Sequence, residues 1–244
     1  MSGPGAAGPD GNRPAALLLT GTGRYADPWH PFPETTAALA RLLTEAGIEV
    51  RVAGDVDDAL ARLDPADLWP DLLAVNVGLP RDGRASPGTA AAMRGLERWA
   101  AAGRALLACH VSATSFVDCP AWEDALGGRW VRGVSMHPEY GAAKILVQRD
   151  SGPLAEGIPD FELDDERYSW LRTGADINVH AVHLHDGTSH PLLWSRAAGS
   201  SRTFYDALGH DAASFNSPEH LEILRRAIAW LVPDAGTLQP LRTR

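Results

Sequence analysis

Three histidines stand at points where a chain could do proton or metal chemistry. His210, with Asp211 beside it, follows the strand-like stretch Arg202–Ala207 and Gly209. His110 follows the apolar run Arg104–Ala108 and Cys109. His30 lies in a loop with Tyr25, Asp27 and Trp29, after the run Ala15–Thr20 and Gly21-Thr22-Gly23. Imidazole titrates near neutral pH, so it can act as base or acid, or bind a metal through a neutral ring nitrogen. A carboxylate could join them from the run Asp164-Asp165-Glu166-Arg167-Tyr168. Glu166 is the candidate proton-transfer partner, and Asp211 the candidate group fixing the His210 tautomer. His30, His110 and His210, completed by Glu166, are candidate ligands of a divalent ion such as zinc. No compact ligand spacing marks such a site, because the four residues are far apart in the chain.

Other chemistry-bearing residues read less sharply. His137, in Met136-His137-Pro138-Glu139, is expected on a loop approaching the site. His183 and His185, with His180 and His190 nearby, fit an exposed face of an edge strand. Trp29, Trp122 and Trp170 could stack on sugar faces, while Trp99 and Trp230 have core spacing. Gly21-Thr22-Gly23 lacks the third glycine and acidic partner of a dinucleotide site, so a nicotinamide cofactor is excluded.

The elements that must position these residues follow from apolar pattern and punctuation. Ala15–Thr20, Ile48–Ala53, Leu72–Val77 and Arg104–Ala108 read as buried strands. Helices are expected at Pro33–Ala46, Val56–Leu63 and Thr89–Ala102, with Gly47 ending the first. This alternation implies a parallel sheet with helices on both faces. In the second half, Trp130–Met136, Ala142–Val147, Val179–His185, Pro191–Arg196 and Arg202–Ala207 read as extended, with links short enough for antiparallel additions. Ser217-Pro218 starts a last helix to about Leu231. The expectation is one α/β domain over 15–232, between a disordered tail at 1–14 and a loose one at 233–244. Sites in such sheets lie beyond the carboxyl ends of the strands, where His110 and His210 both fall.

Bulk properties narrow the partners. The 244 residues are 45% hydrophobic and 22% charged, with formal net charge -9. That is ordinary for a globular domain with a substantial core. No basic block exists, so nucleic acid and anionic membrane surfaces are excluded as main partners. No apolar run approaches the ~20 residues of a membrane span, and the N-terminus lacks a secretory pattern. Cys109 and Cys119 are expected as reduced thiols in a cytoplasmic protein. A homodimer is the generic expectation.

The chain resembles the trehalose-utilisation, or ThuA-like, family of the class I glutamine amidotransferase-like superfamily. The carrying segments are Leu17-Leu-Leu-Thr-Gly21 with His30, and Ala108-Cys-His-Val-Ser-Ala-Thr-Ser-Phe116. Asp165-Glu-Arg-Tyr168 and Arg202-Thr-Phe-Tyr…Leu-Gly-His-Asp211 complete them. The resemblance implies a flavodoxin-like sheet and a role in sugar metabolism, with keto-disaccharides or related glycosides as substrates. It also places His110, rather than Cys109, at the strained turn where an amidotransferase carries its cysteine. The leading expectation is an enzyme using His110, His210 and Glu166 on a sugar or keto-sugar. His30, Tyr168, Trp29, Asp211 and His137 would contact substrate, with or without a metal ion. A non-catalytic sugar-binding module and an amidase using Cys109 are the alternatives.

Overall fold

The structure is a computed structural model describing residues 13–64, 69–233 and 235. Apart from Arg13, Pro14, Pro233 and Ala235, the two expected tails lie outside the described residues. The strands are β1 (Ala15–Thr20), β2 (Glu49–Ala53), β3 (Leu72–Asn76), β4 (Ala105–Cys109), β5 (Gly128–Arg129) and β6 (Gly141–Val147). They continue with β7 (Phe161–Asp165), β8 (Arg172–Thr173), β9 (Asn178–His185), β10 (Thr188–Ala198) and β11 (Ser201–Asp206). The helices are α1 (Phe32–Glu45), α2 (Val56–Ala61), α3 (Ala90–Ala101), α4 (Pro120–Leu126) and α5 (Pro218–Leu231).

Nine strands form one sheet in the order β2-β1-β3-β4-β11-β10-β9-β6-β7. The first five are parallel. Their order is the flavodoxin-like 2-1-3-4-5, with β11 in fifth place. β10, β9, β6 and β7 add antiparallel beyond it. β3 is buried at all five positions, as a strand covered on both faces must be. α1 and α5 lie on one face, joined by Arg225–Glu45 at 3.6 Å, and α2, α3 and α4 on the other, the arrangement that right-handed crossovers produce. Ser217 caps α5 by accepting from the His220 amide at 3.3 Å. Among the described residues no helix is long and apolar enough to cross a membrane.

Four elements differ from the sequence reading. Trp130–Met136 is not a strand: its residues turn through Gly133 at φ +80°, tied by Ser135 Oγ accepting from the Val131 amide. β7 and α4 were not anticipated. Phe161-Glu-Leu-Asp-Asp165 is too acidic to read as a strand, and α4 is only seven residues long. β9 is an interior strand, so His180, His183 and His190 are buried rather than on an exposed edge.

The last parallel strand ends in a buried ion pair. Asp206 accepts from His220 Nε2 at 2.8 Å, and both side chains are fully buried. His220 Nδ1 donates to the Ser214 carbonyl at 2.9 Å. Two ring donors make this an imidazolium. Burial opposes that charge, but Asp206, aided by the Ser214 carbonyl and more distant Asp165, raises the His220 pKa above its ordinary value. Breaking the pair by His220→Ala is expected to cost about 3–5 kcal/mol in denaturant unfolding. A raised folded-state pKa stabilises fully below the unfolded value of about 6.5 and is lost as pH rises through the folded value. The stability gap between wild type and His220→Ala therefore narrows toward alkaline pH.

Candidate functional site

β4 ends at Cys109, and the next residue is forced into the left-handed region: His110 has φ +44°. A non-glycine residue there is strained, and such strain gathers at functional turns. The turn directs the His110 ring between the ends of β4 and β11, where it is 1% exposed. Nδ1–H donates to the Ala207 carbonyl at 2.7 Å. That bond fixes the tautomer and leaves the Nε2 lone pair facing inward. The Tyr168 hydroxyl donates to it at 3.1 Å.

His30 is oriented in the same way by the loop after β1. Asp27 Oδ1 accepts from the Trp29 and His30 amides at 3.0 Å each, and from His30 Nδ1 at 2.8 Å. Gly78 is small for this reason: a Cβ would stand 3.0 Å from Asp27 Oδ2. With Nδ1 occupied as donor, His30 Nε2 carries a lone pair, buried and without a partner.

Glu166 and His210 come from opposite parts of the sheet, and Asp165 joins them. Asp165 is fully buried. It accepts from the Glu166 amide at 2.7 Å, the Gly209 amide at 2.7 Å and the His210 amide at 3.2 Å. Gly209 turns at φ +97° to present its N–H. The Glu166 carboxylate then lies among three imidazoles. Oε2 is 3.4 Å from His110 Nε2, while Oε1 is 3.4 Å from His210 Nδ1 and 3.5 Å from His137 Nε2. One donor atom from each of His30, His110, Glu166 and His210 lies within 4.8 Å of the others.

The electrostatics separate these groups. Burial opposes the Glu166 charge, but the His110 and His210 rings beside it outweigh burial and hold the carboxyl well below the usual range. Burial likewise opposes the His210 charge, yet Glu166 raises its pKa overall. Burial lowers the His30 pKa despite Asp27, favouring the neutral ring.

The remaining sequence candidates fall around this cluster. Tyr168 is buried against His110, with ring centroids 4.4 Å apart. Trp29, next to His30 in the chain, is 52% exposed, with the Arg81 guanidinium 4.3 Å from its ring centre. Asp211 does not orient His210. Its Oδ1 accepts from the Ala213 amide at 2.7 Å, and Glu166 faces the His210 ring instead. Cys109 is buried, and burial followed by nearby Asp206 pushes its thiol pKa well up. The amidase alternative required an exposed, ionised Cys109. Trp122 is core, its Nε1 donating to the Ser112 carbonyl, while Trp170 packs edge-on against His190 and His185.

Sequence reasoning missed the roles of Asp165, Asp27 and Tyr140. Asp27 carried a signal, since Asp three residues before a loop histidine suits an Asx turn. Asp165 carried none beyond its place beside Glu166. Tyr140 is 42% exposed with its ring centre 5.2 Å from His210.

Fold and cluster together define an α/β protein with a histidine–carboxylate centre above the carboxyl ends of a flavodoxin-like sheet. The chain belongs to the ThuA family, described as trehalose utilisation, whose profile matches residues 16–231. No curated protein matches it. A ThuA-like protein from Parabacteroides merdae superposes with TM-score 0.70 at 16% identity, over 96% of this chain and 98% of that one. One from Bacteroides uniformis gives TM-score 0.70 at 16% identity, over 93% and 95%. A β-galactosidase from Bacillus circulans sp. alkalophilus gives TM-score 0.56 at 13% identity, over 91% of this chain and 31% of that one. At these identities the likeness is one of fold.

Two measurements check the site. Two-bond ¹⁵N–¹H spectra are expected to show His30 and His110 as Nδ1–H tautomers, with Asp27→Ala releasing His30 alone. Alkylation of native protein with iodoacetamide is expected to spare Cys109, which reacts once the chain is unfolded.

Proposed function

We propose that this chain is an enzyme that moves a proton on a sugar or keto-sugar, with His210 and Glu166 as an acid–base pair. The carrying observation is the buried Glu166 carboxylate facing the His210 ring at 3.4 Å. In such a pair the imidazole takes a proton and the carboxylate stabilises the resulting imidazolium. At a keto-sugar, His210 removes the proton from the carbon next to the carbonyl. The C–H electrons pass to the carbonyl oxygen as an enolate, and His210 returns the proton to carbon or oxygen. Return to carbon exchanges the proton, return to oxygen gives an enediol, and expulsion of a neighbouring substituent gives elimination.

Several features support carbohydrate as the class. The family is described by trehalose utilisation. Trp29 and Tyr140 offer exposed aromatic faces beside His30 and His210, suited to the apolar face of a pyranose. His137 stands on the Glu166 side of the mouth, within reach of a sugar hydroxyl.

The test is proton exchange. Wild-type protein in deuterium oxide with a keto-derivative of trehalose is expected to incorporate deuterium beside the carbonyl, read by NMR. His210→Ala and Glu166→Gln should slow this by about 10²–10⁴-fold. Binding of the keto-sugar or of trehalose with neither exchange nor product would make the chain a sugar-binding module and sink the proton-transfer reading.

A further inference from the structure

We propose that His30 Nε2, His110 Nε2 and one oxygen of Glu166 together bind a divalent cation of the zinc class, with His210 outside the ligand set.

His30 Nδ1–H is committed to Asp27 and His110 Nδ1–H to the Ala207 carbonyl. Histidines that ligate a metal are tethered in this way, to a carboxylate or a backbone carbonyl, so that the other nitrogen presents its lone pair. The two rings pack 5.1 Å apart between centroids. Their inward atoms are acceptors, and the third member of the group, Glu166, is an acceptor too. Three acceptors converging in a buried space repel one another unless something positive stands between them. The Tyr168 hydroxyl reaches His110 Nε2, and His210 and His137 face Glu166 Oε1, but His30 Nε2 has no partner.

Distance allows a shared ion. The donor atoms lie within 4.8 Å of one another. Side-chain shifts of about 1 Å or less bring three such atoms to the ~2.0–2.2 Å of zinc–nitrogen and zinc–oxygen bonds. Two imidazoles and a carboxylate are borderline ligands that suit zinc, cobalt or iron better than calcium or magnesium, and they leave positions open toward the mouth. His210 differs from the other two rings. No carboxylate or carbonyl tethers its far nitrogen, and its Nδ1 faces Glu166 Oε1, whereas His110 Nε2 faces Oε2. This ion would sit where a substrate carbonyl oxygen must come and would polarise it, while His210 stays free to carry the proton.

The ion proposal uses the same cluster but does not depend on the carbohydrate reading. Its test is titration of chelator-treated full-length protein with Zn²⁺ alone, followed calorimetrically, and with Co²⁺, followed by visible absorption. One equivalent is expected to bind, with the Co²⁺ spectrum of a low-symmetry nitrogen–oxygen site. His30→Ala, His110→Ala and Glu166→Gln should each weaken binding at least 100-fold. Asp27→Asn keeps the site folded and should weaken it about 10–100-fold. His210→Ala should retain the equivalent within tenfold. Circular dichroism and melting of each apo variant separate ligand loss from misfolding. Wild-type binding weaker than about 1 μM, binding that survives His30→Ala and His110→Ala, or loss of the site in His210→Ala would each overturn the assignment. A failed titration leaves the exchange experiment intact, and failed exchange leaves the titration intact.

Discussion

The contact on which the centre depends is the buried carboxylate of Asp165 gathering three backbone amides. Glu166 follows β7, at one edge of the sheet, and His210 follows β11. Four inter-strand steps separate β7 from β11, roughly 19 Å in a flat sheet at ~4.8 Å per step. Yet Asp165 lies 2.7 Å from the Gly209 amide. The antiparallel half must therefore curl back over the ends of the parallel half. β10 shows how: its pairing with β9 slips between Pro191 and Leu193 and again between Leu193 and Trp194. Such irregularities bend a strand and increase its twist. Without the bend, β7 would stand out in solvent and its acidic run would be what its composition suggests, a charged surface.

This explains how much of the molecule was legible in the residues. The parallel frame was, because β1, β3 and β4 are continuous apolar runs with sharp ends. So were His110 and His210, since strand ends in such sheets converge on one edge. His30 needed only the loop after β1. Glu166 was a different case: nothing local distinguishes it from Asp164 or Arg167, and the family resemblance singled it out. Asp165 escaped because its role is to accept backbone amides from residues 44 and 45 positions away, a task set by sheet curvature. The histidines of β9 and β10 were misplaced for the same reason. A strand with alternating histidines looks like a wet edge, but β6 and β7 pair outside it and cover it. Burial then lowers the His180 and His183 pKa values to about 4, which keeps both rings neutral.

The exit of β11 is held by hydrogen bonds on more than one side. Asp206 holds His220 on one side of the β11 exit and accepts from the Leu208 amide on the other, at 2.9 Å. The Tyr205 hydroxyl donates to the His110 carbonyl at 2.8 Å. The strained turn at His110 is thus fixed at its carbonyl by Tyr205 and at its ring by Ala207, both from the neighbouring strand region. A left-handed residue other than glycine costs about 1–2 kcal/mol, and two buried hydrogen bonds at ~1 kcal/mol each can offset that. The register between β4 and β11, with Ala108 opposite Tyr205 and Cys109 opposite Asp206, sets both contacts at once.

The same register decides which side chain the turn presents. Along a strand, successive residues face opposite sides. Cys109 is the last residue of β4 and its thiol is buried in the sheet layer, where burial and Asp206 disfavour the thiolate. His110 is the first residue beyond the strand, and the left-handed backbone turns its ring between the ends of β4 and β11, where it is buried. The turn where an amidotransferase would carry its cysteine holds here a buried imidazole, its Nε2 3.4 Å from Glu166 Oε2. An imidazole in that position cannot form the thioester on which amide chemistry by a cysteine depends. A cysteine one residue earlier, inside the sheet layer, is withheld from such chemistry by its position alone.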